Sequence, residues 1–495
     1  DVRTEQEVTA IDRTAQSITV RKKDGTVYEE NYDALLIATG SSPLRPRIPG
    51  IGTEGIYTLW TVEDTDRIRV IVDEKKPRTA AVIGGGFIGL EMAENLHARG
   101  IHVSIMEAMD QVMAPLDPEM AQLLHRNIIE CGTALYLHDG VASFEKAGDQ
   151  VKVILQSGTS VTADMVLLSI GVRPNSQLAK DAGLALGERG GITTDTQMRT
   201  SDPHIWAAGD VIQIENFVTK LPGMIPLAGP AAKQGRIAAD TIASEFSEKI
   251  SLHSEYRGTQ GTSVAKVYDN TVGAVGVNEK TLKALGKVKG TDYDVTLIMQ
   301  KSHAGYYPKA TDMVLKLIFA KDGKILGAQI VGPDGVDKRI DVISTAMRLG
   351  ASAVQLKELE LAYAPPYSSA KDPVNMAGFT VENIMNGLLK LRMPDEIDAL
   401  VEQDKLVVLD IRENIERSVW APEKSIHIPL CELRKRIHEL DGIPKEICVL
   451  CAGGVRAYNG ARILQGNGFD NVSVAAGGAN FYRAVKETDP NEKTA

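Results

Sequence analysis

Cysteine is scarce in this chain, with 4 in 495 residues. So thin a supply cannot staple a secreted disulfide scaffold; it fits a reducing compartment, places the chain in the cytoplasm, and leaves each thiol for packing or reactivity. Long apolar runs are absent too. No stretch approaches the ~18 residues that span a bilayer, and the most apolar ones, such as Ala81–Leu90, are broken by glycines, so a membrane role is excluded. Positive charge is in deficit. The 55 Lys and Arg against 65 Asp and Glu leave a net charge of −10, which gives no footprint for nucleic acid or anionic lipid and leaves room only for a local basic pocket. There is no internal repeat, no low-complexity tract, and no His, Cys or Asp spacing that suggests a metal site. What is present is a globular composition, 43% hydrophobic and 24% charged, in a length that suggests about three domains.

Glu7–Val20, turning through Lys22–Gly25 into Thr26–Asn31, reads as a β-hairpin, and Tyr32–Ile37 as a buried strand that delivers Ala38–Thr39–Gly40. A charged helix is expected near Val62–Asp73. Thr79–Ile83 is a second buried strand, and it runs into Gly84–Gly85–Gly86–Phe87–Ile88–Gly89, a helix over Leu90–Arg99 stopped by Gly100, and a strand His102–Met106 ending at Glu107. The glycines have separate tasks: Gly84 permits a sharp turn, Gly86 lets backbone approach a pyrophosphate, and Gly89 lets the helix pack on the strand. Glu107, about 20 residues on, can accept from both ribose hydroxyls of NAD and would repel a 2′-phosphate. Ala108–Met109–Asp110 offers no arginine in its place, so NADH is preferred over NADPH.

Further along come β-hairpins over Val151–Ile170, Gly171–Val172–Arg173–Pro174–Asn175, a strand leading to Gly209–Asp210, a helix from Pro226 past Ile242, and short strands from Val264 to Gln329 before the helix Val336–Leu349. Met393–Pro394 is the best candidate linker. Beyond it, strands at Leu406–Leu409, Ile447–Leu450 and Val472–Val474 mark a fresh α/β alternation. Cys451–Ala452–Gly453–Gly454–Val455–Arg456 follows the second of these and opens a helix with Ala457, Ala461 and Leu464 on its inner face. Loop N–H groups, the helix dipole and the Arg456 cation would all favour a Cys451 thiolate. Cys448, inside the strand, reads as a small packed hydrophobe, and so do Cys131 and Cys431.

The order of an Ala-Thr-Gly turn, an inserted G-x-G-x-x-G unit, Gly171–Asn175 and Gly209–Asp210 resembles the flavoprotein disulfide reductases over residues 1 to about 390. The resemblance implies that Asp210 binds the ribitol of FAD, that Ala38, Thr39, Gly40, Gly171 and Gly209 line that cofactor, and that the helix after Pro226–Leu227–Ala228 points at the flavin ring. Ser302–Pro308 and Tyr363–Asp372 look like the coenzyme A-disulfide reductase and NADH oxidase branch, with Tyr306 (or Tyr307) and Tyr363 donating to a sulfur leaving group and Lys371 meeting a coenzyme A phosphate. The Cys451–Arg456 loop, Val408–Arg412, His427–Leu430 and Gly477–Gly478 resemble the rhodanese sulfurtransferases, whose loop cradles a cysteine persulfide.

The fold implied is α/β: two Rossmann-like domains, for FAD (1–78 and 196–253) and NAD (79–195), an α+β dimerisation domain (254–385) and a rhodanese domain (395–490). The function implied is an FAD- and NADH-dependent reductase of coenzyme A persulfide, polysulfide or disulfide, homodimeric with active sites shared between subunits. Two alternatives are a sulfur carrier on a non-reducing flavoprotein scaffold and an NADH oxidase. In the family pattern a first G-x-G-x-x-G unit and a flavin-side redox cysteine come ahead of the point where residue 1 enters. None of the four cysteines replaces that thiol, so a longer protein is expected.

Overall fold

The computed structural model describes residues 2–486 apart from 248 and 250; residues 487–490 of the expected rhodanese span therefore lie outside the described residues. They form two compact units. The first takes the chain up to Arg47, Tyr57–Glu74 and Ser169–Gly261, and the second takes Ile48–Ile56, Lys75–Leu168 and everything from Thr262 onward.

In the first unit the expected hairpin is a three-stranded antiparallel meander, Gln6–Asp12, Ser17–Lys22 and Val27–Asn31. The extra turn carries no glycine. Asp12 makes it, with Oδ1 accepting from the N–H of Thr14 and of Ala15, each at 2.9 Å, while Gln16 takes the left-handed conformation at φ 51. Leu35–Ile37 pairs in parallel with Ile205–Ala207, and the turns that follow each strand therefore emerge side by side. Ser41–Pro43 pairs with Val172–Pro174, so Ser169–Asp195, expected with the NAD domain, packs in this unit.

In the second unit Met165–Leu168, Thr79–Ile83, His102–Met106 and Ala134–Tyr136 lie in that order as parallel strands. Thr79–Ile83 and Met165–Leu168 are almost entirely apolar and buried, as strands covered on both faces must be. An antiparallel sheet follows, in the order Ser263–Val267, Asn270–Gly276, Ile325–Gly332, Asp312–Ala320 and Tyr293–Lys301, with helices Val336–Arg348 and Pro373–Met385 packed on it. The last sheet is parallel: Leu391–Arg392, Val472–Ala475, Glu446–Leu450, Leu406–Asp410 and Ser425–His427. Met393–Pro394 is therefore not an exposed linker. Leu391–Arg392 already belongs to the sheet, Met393 is buried, and Pro394 opens the helix Pro394–Glu402. No helix among the described residues is long and apolar enough to cross a membrane.

Candidate active site

The glycine loop lies where its sequence put it, between Thr79–Ile83 and the helix Phe87–Ala98. Gly84 sits at φ 105, a conformation costly for any residue with a Cβ. Gly86 caps the helix with no side chain bonded across its end, and a Cβ there would meet no atom within 4 Å, so the loop offers open backbone to an anion. Glu107 is built into this loop. Its Oε2 accepts from the Gly85 N–H at 2.7 Å and its Oε1 from the Met109 N–H at 2.9 Å, which leaves lone pairs on both oxygens for two ribose hydroxyls.

In the first unit, Asp210 Oδ2 accepts from Ser41 Oγ at 2.9 Å, which joins the turn after Leu35–Ile37 to the turn after Ile205–Ala207. Thr39 Oγ1 donates to the Asn175 carbonyl at 2.7 Å, and the Asn175 side chain returns a bond to the Thr39 carbonyl at 2.9 Å. Gly40, Gly171 and Gly209 all have positive φ. Ala228 is the first residue of the 18-residue helix Ala228–Glu245, and this helix too has no side-chain cap. Ala38, Thr39, Gly40, Gly171, Gly209, Asp210 and Ala228 thus share one unit, with polar atoms and an uncapped helix end that suit a dinucleotide.

Tyr306 and Tyr363, 57 residues apart, meet through their hydroxyls at 3.2 Å, and that bond raises the Tyr363 pKa. Both are solvent-facing, at 78% and 49% exposed. Tyr307 turns away, edge-on to the His303 ring, so the pair is made by Tyr306. Lys371 lies 5.8 Å from the centre of the Phe379 ring. It lines a cavity of about 200 Å³ that Gly453–Val455, the loop after Cys451, also lines. Eighty residues separate Lys371 from the cysteine loop, and nothing in that spacing tells that they share a cavity.

Cys451 follows the strand Glu446–Leu450, is 1% exposed, and its Sγ accepts from the Gly454 N–H at 3.1 Å. The loop is held from the far end of the domain. Ala479 N–H donates to the Cys451 carbonyl at 2.7 Å and Asn480 N–H to the Ala452 carbonyl at 3.1 Å, and a Cβ on Gly478 would fall 2.5 Å from the Cys451 carbonyl oxygen. Arg456 is not a bare cation: it makes a bidentate pair with Glu416, NH1 to Oε2 at 2.7 Å. The bonds from Arg456 hold the Glu416 carboxyl at about 2. Glu416 went unnoticed in the sequence, 40 residues from its partner and with no periodicity to mark it.

Cys448 is fully buried and its thiol is pushed up to about 12 by burial, as a packed residue should be. Cys431, expected to be packed, is instead exposed, because it sits in the turn after Pro429 and not on a core-facing strand. Cys131 is half-buried at a helix end, its Sγ directed at Asp269. A further cluster, also unmarked in the sequence, gathers Asp117, Glu119 and Glu279 around Lys316, whose ammonium stands where a metal ion would.

Residues 1–235 match the pyridine nucleotide-disulphide oxidoreductase family, 262–373 its dimerisation domain and 393–484 the rhodanese-like domain. An NADH oxidase of Methanocaldococcus jannaschii is 33% identical over 76% of this chain and 82% of its own length. A coenzyme A disulfide reductase of Staphylococcus epidermidis is 33% identical over 77% and 83%. Among solved structures, reduced CoADR-RHD of Bacillus anthracis is 47% identical with a TM-score of 0.93, covering 98% of this chain and 85% of that one. A NAD-dependent persulfide reductase from A. fulgidus is 39% identical with a TM-score of 0.88, covering 97% and 85%.

Proposed function

Since the chain belongs to the pyridine nucleotide-disulphide oxidoreductase family, we propose that it is an FAD-dependent, NADH-using reductase of coenzyme A persulfide, polysulfide or disulfide, fused to a rhodanese sulfurtransferase and acting as a homodimer. The observation that carries the reading is the cavity shared by Lys371 and the Cys451 loop. It sets the cation proposed to meet a phosphate beside the loop that carries the sulfur-accepting thiol.

Bound FAD would supply two-electron chemistry between NADH and a sulfur–sulfur bond. The chain's own residues have these tasks. Gly84, Gly86 and Gly89 and the uncapped helix end hold the NADH pyrophosphate, while Glu107 takes the ribose hydroxyls. Asp210 holds the FAD ribitol, with Ser41 fixing its carboxylate. The Tyr306 and Tyr363 hydroxyls, already paired, hydrogen-bond the thiolate that leaves a cleaved S–S bond, and their exposure suits a site completed by the partner subunit. Cys451 attacks the outer sulfur of a persulfide, so that the S–S bond breaks, a new one forms on Sγ, and the donor departs as its thiol.

The test is NADH consumption with coenzyme A persulfide as substrate, followed together with sulfide release. Equimolar consumption and release are expected, and Cys451→Ser should suppress release from polysulfide or protein-bound donors. NADH consumed at the same rate with oxygen alone would favour the oxidase reading, and sulfide release indifferent to Cys451 would sink the coupling.

A further inference from the structure

The cation on the Cys451 loop is spoken for. Arg456 lies in the first turn of the helix Val455–Gly466, and both terminal nitrogens of its guanidinium go to the one carboxylate of Glu416. Such a fork fixes orientation as well as charge. Glu416 is anchored in turn, its Oε2 accepting from the Glu413 N–H at 3.0 Å. Close by, Arg412 is bidentate to the buried Asp410, NH2 to Oδ2 at 2.7 Å, and Arg417 stands 3.9 Å from the same carboxylate. Arg456 and Arg412 are thus each taken up by a carboxylate, so the loop's own arginine is not free to meet an incoming anion.

That pairing separates two classes of sulfur donor. Thiosulfate is a compact dianion, and burying it beside Sγ while Arg456 is held by Glu416 is costly. A persulfide group on a larger thiol is neutral or singly charged, and any phosphate on its carrier can be met elsewhere. We propose that Glu416 is the donor-selecting residue of the Cys451 site: by closing Arg456 into a pair it disfavours dianionic inorganic donors and leaves the loop N–H groups to receive the sulfane sulfur of an organic persulfide. The inference rests on Cys451 being the sulfur-accepting thiol proposed above. Both donors give the same product. Cys451 thiol and R–S–SH yield Cys451–S–SH and R–SH, the donor's S–S bond breaking as the bond from the outer sulfur to Sγ forms and the thiol proton passing to the departing RS⁻. Cys451 thiol and thiosulfate yield Cys451–S–SH and sulfite, the bond to the sulfonate sulfur breaking and its electron pair leaving with sulfite. Only the charge that must enter the loop differs.

The experiment compares the full chain with its Glu416→Gln and Glu416→Asp variants, using thiosulfate and 2-hydroxyethyl persulfide as donors. Sulfite and thiol release are followed as rates, and intact mass reports sulfur on Cys451. Glu416→Gln should raise the thiosulfate-to-persulfide ratio of kcat/KM roughly tenfold, through KM for thiosulfate, and the gain should shrink at high salt because it is electrostatic. Glu416→Asp keeps the charge and should keep the wild-type ratio, which separates charge from mere folding. Normal loading of Cys451 with an unchanged ratio in Glu416→Gln, or equal losses with both donors, would overturn the role of Glu416 alone. Failure of the wild-type chain to load Cys451 from either donor would overturn the sulfurtransferase reading and this inference with it.

Discussion

Glu107 shows how one side chain can serve both architecture and specificity. Its carboxylate ties the glycine loop to the end of the next strand through the Gly85 and Met109 N–H groups, and in the role proposed above the same charge would bar a 2′-phosphate. Replacing it therefore has two consequences. In Glu107→Ala with Ala108→Arg, a repulsive charge gives way to a charge-assisted hydrogen bond of about 1.5–3 kcal/mol, so the NADPH-to-NADH ratio of kcat/KM should rise roughly ten- to a hundredfold. Steady-state kinetics with both coenzymes measures this. Two backbone donors also lose their acceptor, so the variant should melt lower than wild type. Glu107 was legible in the sequence because a βαβ unit fixes the spacing between its glycines and its acid. Glu416 was not, because an ion pair across 40 residues depends on how two loops are brought together.

At the level of elements, the strand Leu391–Arg392 is only two residues long and sits at the sheet edge, so hydrogen bonds alone hold it weakly. Glu446, on the central strand, supplies the missing anchor. It is 5% exposed and accepts from Lys390 at 2.8 Å and from Arg392 through both carboxylate oxygens, each at 2.8 Å. Burial pushes this carboxyl up, yet the bonds from Arg392 and Lys390 outweigh it and hold it at about 2 against an ordinary 4.5. The unfolded chain therefore takes up the proton first as pH falls. The stabilisation, on the order of 3 kcal/mol, is complete above pH 4.5 and is lost between about 4.5 and 2. Glu446→Gln should destabilise the protein by that order at pH 7, with a gap that narrows as pH falls through this window, as thermal melts followed by circular dichroism would show. Apolar strands were readable from composition and length, whereas the Asp12 turn was missed because an aspartate side chain did the work expected of glycine.

Over the whole second unit, the most concentrated ionic feature is Lys316. It is fully buried, bonds Asp117 at 2.7 Å and Glu279 at 2.6 Å and also contacts Glu119, while Gln329 holds Asp117 at 2.7 Å. Burial alone would lower its pKa, but the Glu119, Asp117 and Glu279 charges raise it, so it stays charged. Asp117 and Glu119 come from the segment at the head of the helix Pro118–Glu130, and Lys316, Glu279 and Gln329 come from the dimerisation fold. The cluster thus clamps two domains within that unit. Lys316→Met would strand buried carboxylates at a cost of about 3–5 kcal/mol. Differential scanning fluorimetry at pH 8 and pH 5 should find a lower Tm for the variant at both, with the smaller deficit at pH 5, where the carboxylates can take up protons.

The sequence by itself determined the elements and the motifs that lie on single elements: the glycine loop with Glu107, the turns at Ala38–Gly40 and Gly209–Asp210, and the Cys451 loop. These are local because a strand, a tight turn and a helix end already supply the donors and the backbone freedom that the chemistry needs. The tertiary structure decided what meets what: the Tyr306–Tyr363 hydroxyl pair, Lys371 lining one cavity with Gly453–Val455, Gly478 locked on the cysteine loop, Glu416 neutralising Arg456, and the acids around Lys316. Those pairings join residues tens to hundreds of positions apart, and only packing, which has no sequence period, brings them within bonding distance.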